Sequence, residues 1–178
     1  MNEQLEIIIF QNKLTNKLYF CKSHINNGNM KEGRYSRIFE QLQPLLEKSP
    51  DHISAMSSIC ALLHAKMDYF FWCGFYFVRD EQLVVGPYQG PLACQILPKP
   101  NGVCWASALQ EETIIVPDVH AFPGHIACDS RSNSEIVVPL FDETKLVWAV
   151  LDVDSSEKNS FCQIDALWLE KIVQLIRK

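Results

Sequence analysis

Apolar residues recur along this chain with two different periods, and the changes of period mark its elements. Residues 31–48, KEGRYSRIFEQLQPLLEK, read as a helix that Pro44 kinks or weakens. Ser49 and Pro50 read as an N-cap and first-turn proline, and Ile53, Met56, Cys60, Leu63 and Met67 then recur at helical spacing, a stripe facing a core. In YFFWCGFYFV (69–78) the period changes, and aromatic and β-branched content predicts a strand. RDEQ is a polar turn, LVVGPYQG the hairpin partner, ACQIL a further strand and PKPNG a loop. Val103 to Gln110 predicts a short helix, and TIIV, EIVVPLF and LVWAVLDVDS predict strands, the last two joined at DETK. A closing helix runs from Gln163 to Arg177 with Ile164, Leu167, Trp168, Ile172 and Ile176 on one side. Strands joined by tight turns, with helices gathered at the ends, predict an α+β fold with a mostly antiparallel sheet.

At 178 residues, 48% hydrophobic and 21% charged, the chain fits one globular domain with a sizeable core. Patterning starts at Met30, so the domain is expected to span 30–178. Residues 1–29 are expected to be an arm packed on it, or an extension before a natural start. A net charge of −5 without a basic block argues against nucleic-acid or anionic-membrane partners. Ile7 to Phe10 is too short and acidic in its flanks for a signal peptide, and no segment has membrane-spanning length. Seven irregularly spaced cysteines do not form the paired framework of a secreted protein, so reduced thiols in the cytoplasm are expected.

Three of those cysteines fall where elements meet. Cys128 lies in the stretch from Pro117 to Ser134, longer than the roughly 12 to 15 residues of ordinary connections and too apolar for disorder. Cys94 falls where a strand should resume, and Cys104 where a helix should start, a place that favours thiolate. On position alone Cys128 could equally be a small buried hydrophobe, a reading that the placement of the other two thiols weakens. Cys60, Cys73, Cys162 and Cys21 read as structural. A zinc set of His120, His125, Cys104 and Cys128 has suitable ligand types but lacks the close pairing of structural sites, so no metal is expected. Alternation along 146–154 puts Leu146, Trp148, Val150, Asp152 and Asp154 on one face, and the two acids at the end need a partner wherever they are buried. Trp72, Gly74 and Tyr76 share a face of their strand, leaving a gap between two rings that suits a small apolar group such as a thioether methyl. Core packing or a bulge at the glycine would look the same.

Taken together, WCGFY at 72–76, LVVGPYQGPLAC at 83–94, NGVC at 101–104, DVHAFPGHIACD at 118–129, SNSEIVVPL at 132–140 and LDVDS at 151–155 closely resemble the free methionine-(R)-sulfoxide reductases, single GAF-domain enzymes. The resemblance runs from about Met30 to the C-terminus. It implies a GAF fold with a six-stranded antiparallel sheet, and reduction of free L-methionine-(R)-sulfoxide by cysteine chemistry recycled by thioredoxin, without a bound cofactor. By motif, Cys94, Cys104 and Cys128 are the redox cysteines. Glu135 and Asp154 hold the substrate, Asp152 supports Asp154, and Trp72 lines the methyl pocket beside Tyr76. The helix start favours Cys104 as nucleophile, whereas the resemblance and the loop favour Cys128, with Cys94 resolving and Cys104 a further redox thiol. Where the family commonly has GRGVCG, this chain has KPNGVCW, placing a rigid Pro100 and a bulky Trp105 around Cys104. A non-catalytic GAF sensor or a thiol protein that only switches are the rival readings, and the assembly is left open, a homodimer included.

Overall fold

A computed structural model describes residues 25–124 and 129–177, with side chains from Met30 onward. The helices are α1 (Ile25–Leu46), α2 (His52–Lys66), α3 (Gly102–Gln110) and α4 (Gln163–Val173). The strands are β1 (Trp72–Arg79), β2 (Gln82–Gln89), β3 (Ile96–Pro98), β4 (Ile114–Val116), β5 (Ser134–Phe141) and β6 (Val147–Ser155). They form one six-stranded sheet, ordered β3-β2-β1-β6-β5-β4, antiparallel at every pairing. The α+β expectation and the six-stranded antiparallel sheet therefore hold. Among the described residues no helix is long and apolar enough to cross a membrane.

Each face of the sheet is buried against something different. Helices α1, α2 and α4 cover one face, where Tyr35, Ile59, Leu63, Phe75, Leu151 and Leu169 form the main core. Helix α3 and the loops cover the other, over a smaller core of Trp72, Tyr76, Val103, Val137 and Val150. That double coverage explains why β5 and β6 read as nearly continuous apolar runs rather than strict alternations. The polar exceptions on the α3 side are then conspicuous.

Several boundaries differ from the pattern, each for a local reason. Helix α1 starts at Ile25 and so crosses the boundary expected at Met30, while Pro44 falls in its last turn, where few backbone bonds remain to lose. The cap of α2 is Asp51, whose carboxylate accepts from the Ser54 amide at 2.7 Å; Ser49 and Pro50 precede it. Ile53 is consequently turned outward and 41% exposed. Asp80 and Glu81 both take positive φ (46° and 63°), the tight hairpin geometry whose twist matches its strands. Strand β3 starts only at Ile96, which leaves Cys94 in the loop before it. The β5–β6 ladder pairs Leu140 with Ala149 and Phe141 with Val147, skipping Trp148. This bulge reverses the alternation, and Trp148 stacks on Phe77 in the main core instead of sharing a face with Asp152. Helix α4 ends at Val173 and buries Ala166, Leu169 and Ile172, with Leu167 exposed.

Gly74 is the one position on β1 where no side chain fits. A Cβ there would collide with the Trp72 indole and with Tyr88 Cβ, and the β1–β2 register shifts just beyond it. Trp72 is buried and stacked on the half-buried Tyr88, and the Tyr88 contact is at Cβ, which no rotamer change relieves. Gly74→Ala is expected to lower stability by about 1 to 3 kcal/mol, the usual cost of overpacking. Urea denaturation checks this, and a loss below about 0.5 kcal/mol would show that the rings yield.

Candidate active site

The register of three central strands gathers the polar exceptions. Trp72 on β1 faces Asp154 on β6, which faces Glu135 on β5, and Gly74 faces Asp152. Because side chains alternate, Trp72, Tyr76, Asp152, Asp154 and Glu135 all emerge on the α3 side. Helix α3 brings Cys104 down onto them, its Sγ 3.9 Å from Glu135 Oε1. Together with Leu92, Leu97, Asp129 and Ser132 they line one cavity.

The cavity wall is aromatic and tied to the loop that carries Cys94. Trp72 stacks on Tyr76 and on Tyr88, with ring centroids 5.8 and 5.5 Å apart. The indole itself fills the gap expected over Gly74, so the wall is a stack of rings rather than two rings with a slot between them. Trp72 Nε1 donates to the Pro91 carbonyl and the Tyr76 hydroxyl to the Cys94 carbonyl, both at 3.2 Å. Gly90 permits this return path: at φ 122° a Cβ would stand 2.8 Å from the Phe71 carbonyl oxygen. Cys94 is disulfide-bonded, whereas Cys60, Cys73, Cys104 and Cys162 lie outside any disulfide. His125 and Cys128 lie outside the described residues.

Burial governs the electrostatics. Glu135 and Asp152 are only 5% and 6% exposed. Burial pushes both carboxyls well above their ordinary range, reinforced for Glu135 by Asp152 and Asp154, and for Asp152 by Asp154. Asp154 is pushed up to about 7 by burial, against a hydrogen bond from Ser132 that favours its charged form. Cys104 reverses the expectation from its helix start. Burial first, then Asp152, Glu135 and Asp154, hold its thiol well above the ordinary value, outweighing the helix dipole. Burial thus shifts all four groups toward their protonated forms.

The remaining candidates are distributed as follows. Trp105 is buried but points away from the cavity, donating from Nε1 to the Leu97 carbonyl at 2.9 Å and so tying α3 to β3 rather than narrowing the site. Pro100 stands before α3 and does not line the cavity. His120 is exposed and pairs with Asn133 Oδ1 at 3.2 Å, away from Cys104. The long connection holds a 3-10 turn, Val119–Ala121, capped by Asp118, which also accepts from Lys158 Nζ at 2.7 Å.

Two cavity residues escaped sequence reasoning. Asp129, just after Cys128, is gripped by Arg131 through two guanidinium bonds of 2.9 and 2.7 Å, which hold its carboxyl down at about 2. Arg131 in turn lies 4.7 Å over the Phe71 ring. Ser132 is buried beside Asp154. A charge pair two residues apart in a turn, D-S-R, was the available signal for the first, and an isolated serine offered none.

Known proteins are similar to this chain in sequence and fold. The GAF domain family matches residues 53–177. GAF domain-containing protein A of Dictyostelium discoideum is 45% identical over 147 residues, 82% of this chain and 92% of that protein. Free methionine-R-sulfoxide reductase of Escherichia coli is 35% identical over 144 residues, 81% of this chain and 87% of that protein. Among solved structures, the free methionine-R-sulfoxide reductase from Neisseria meningitidis in complex with its substrate is 36% identical, with a TM-score of 0.78 over 90% of this chain and 93% of that one. The chain belongs to the GAF domain family, in the branch of the free methionine-(R)-sulfoxide reductases.

Proposed function

We propose that this chain reduces free L-methionine-(R)-sulfoxide to methionine in the cavity between β1, β6, β5 and α3. One observation carries the reading: three acids, Glu135, Asp152 and Asp154, converge with an aromatic wall beside a disulfide-bonded Cys94. An amino-acid ammonium is the natural counter-charge for such acids, and a peptide-bound residue has an uncharged amide in its place. The Trp72 indole offers an apolar surface to the thioether methyl.

Cys128 is the nucleophile in this reading. Its sulfur takes the oxygen from the sulfoxide while a protonated acid, Glu135 by position, hydrogen-bonds that oxygen as it leaves. Cysteine sulfenic acid and methionine result. The Cys94 thiol then attacks the sulfenic sulfur, releasing water and closing a Cys94–Cys128 disulfide. A dithiol protein, thioredoxin by family resemblance, reduces that disulfide by exchange. The disulfide at Cys94 supports the pairing, since the four other described cysteines lie outside any disulfide. Cys104, buried and held protonated, serves as a further redox thiol rather than the attacking one.

Incubating the reduced chain with each stereoisomer of free methionine sulfoxide and a dithiol donor tests this directly. Methionine should form from the free (R)-isomer and not from a peptide-bound sulfoxide. Cys128→Ser should cut turnover by at least about a thousandfold, as loss of an attacking group does. Activity that survives Cys128→Ser but disappears in Cys104→Ser would exchange their roles, and no methionine from any isomer would overturn the reading.

A further inference from the structure

Cys104, Glu135 and Asp152 come from three different elements, yet the thiol sulfur and one oxygen of each acid all lie within 4.8 Å of one another. Their exposures are 4%, 5% and 6%. Asp152 Oδ1 is buried, on a side chain that lines the cavity, and has no hydrogen-bond partner among the described residues. A buried carboxylate oxygen without a donor is costly, and the groups nearest to it are themselves acidic. A cation satisfies all three together. One sulfur and two carboxylate oxygens form a mixed donor set that suits a borderline-soft ion such as zinc, whereas magnesium and calcium take oxygen ligands alone. Ligand atoms around tetrahedral zinc stand roughly 3.5 Å apart, so an ion would draw these groups together by about an ångström.

We propose that Cys104 Sγ, Glu135 and Asp152 Oδ1 bind a single thiophilic divalent cation, zinc being the type case, and that the ion inhibits by occupying the acids on the floor of the cavity. Three protein ligands leave the fourth position open toward the cavity, for water or a ligand carboxylate. Binding displaces the thiol proton and those held by the acids, which pass to solvent. This set shares only Cys104 with the His120, His125, Cys104 and Cys128 group weighed from the sequence. The inhibitory effect rests on the proposed activity; ion binding does not.

Titrating the full chain, with its Cys94 disulfide intact, with cadmium chloride reads the site without any sulfoxide, through thiolate-to-cadmium charge-transfer absorption. The wild-type chain should bind one equivalent, and so should Cys60→Ser, which removes a core thiol on the opposite face. The band should vanish in Cys104→Ser, and the affinity of Asp152→Asn should fall at least about tenfold. A band that persists in Cys104→Ser, or an unchanged affinity in Asp152→Asn, would overturn the site. In turnover assays zinc chloride should compete with the sulfoxide and a chelator should restore the rate. Cadmium binding without competition by zinc would remove the inhibitory role while leaving the site.

Discussion

Asp165→Ala is expected to destabilise the protein by about 3 to 5 kcal/mol, the range for removing one partner of a buried ion pair. Asp165 is fully buried at the third position of α4. Its Oδ1 accepts from the Tyr35 and Tyr69 hydroxyls at 2.9 and 2.5 Å, and its Oδ2 from Lys31 Nζ and the Cys162 amide, each at 2.8 Å. Burial and the Asp165 charge hold both tyrosines well above their ordinary range, so they remain donors at any accessible pH. One carboxylate thus joins α1, the approach to β1 and the start of α4, and alanine would take a partner from four donors, of which Lys31 Nζ keeps the Ser160 carbonyl at 2.7 Å. Tyr69→Phe, which removes one hydrogen bond and leaves the ion pair, should cost only about 1 kcal/mol. Urea midpoints at constant slope measure both. The cluster lies on the helix-covered face, opposite the cavity, so the folded fraction of Asp165→Ala should keep its specific activity. A stability loss under about 1 kcal/mol would mean that water or rearrangement satisfies those donors.

The contrast between this acid and the cavity acids marks how far the chain can be read without coordinates. Element types were legible because period and composition agreed along β1, β5, β6 and α2. Boundaries were not legible where a tertiary contact decided them. Asp51 outcompetes Ser49 as a cap because its side chain reaches the Ser54 amide, and the bulge at Trp148 depends on the ladder with β5, which no single strand announces.

For the site, Asp152 and Asp154 stood out as charges at the end of an apolar strand, and Glu135 followed only from resemblance. Their meeting required the register of β5 against β6, a long-range property. Cys104 shows the opposite failure. A helix start argues for thiolate, but desolvation beneath α3 and three neighbouring acids reverse the sign, and burial of that kind is invisible in local sequence. Asp165 went unremarked because a carboxylate in the first helical turn is ordinary, and only the packed fold reveals its four donors.

Those cavity acids lead to the other large effect: at pH 8 Asp152→Asn should be more stable than the parent by about 1 to 3 kcal/mol, as replacing a buried ionisable group by a neutral one of the same shape can be. It should also be at least about a hundredfold less active if the acid stabilises charge on bound substrate. The sign follows from proton linkage. Glu135, Asp152 and Asp154 have folded-state values raised above their ordinary 4.5, 3.8 and 3.8, chiefly by burial, so the folded chain holds more protons than the unfolded one across the intervening range. Their contribution to stability is fully present below about pH 4 and is lost as pH rises through the folded values, about 7 for Asp154. Stability of the parent should therefore decline from mildly acidic to mildly alkaline pH. Asn at 152 removes one buried ionisable group and its repulsion of Glu135, so the decline should flatten. Thermal unfolding of both proteins from pH 5 to 8, beside turnover of the free (R)-sulfoxide, measures the two effects together. If the variant is less stable at pH 8 with an unflattened profile, the acids are neutralised within the fold in another way, and strain at this cavity is not what the enzyme trades for binding a substrate ammonium.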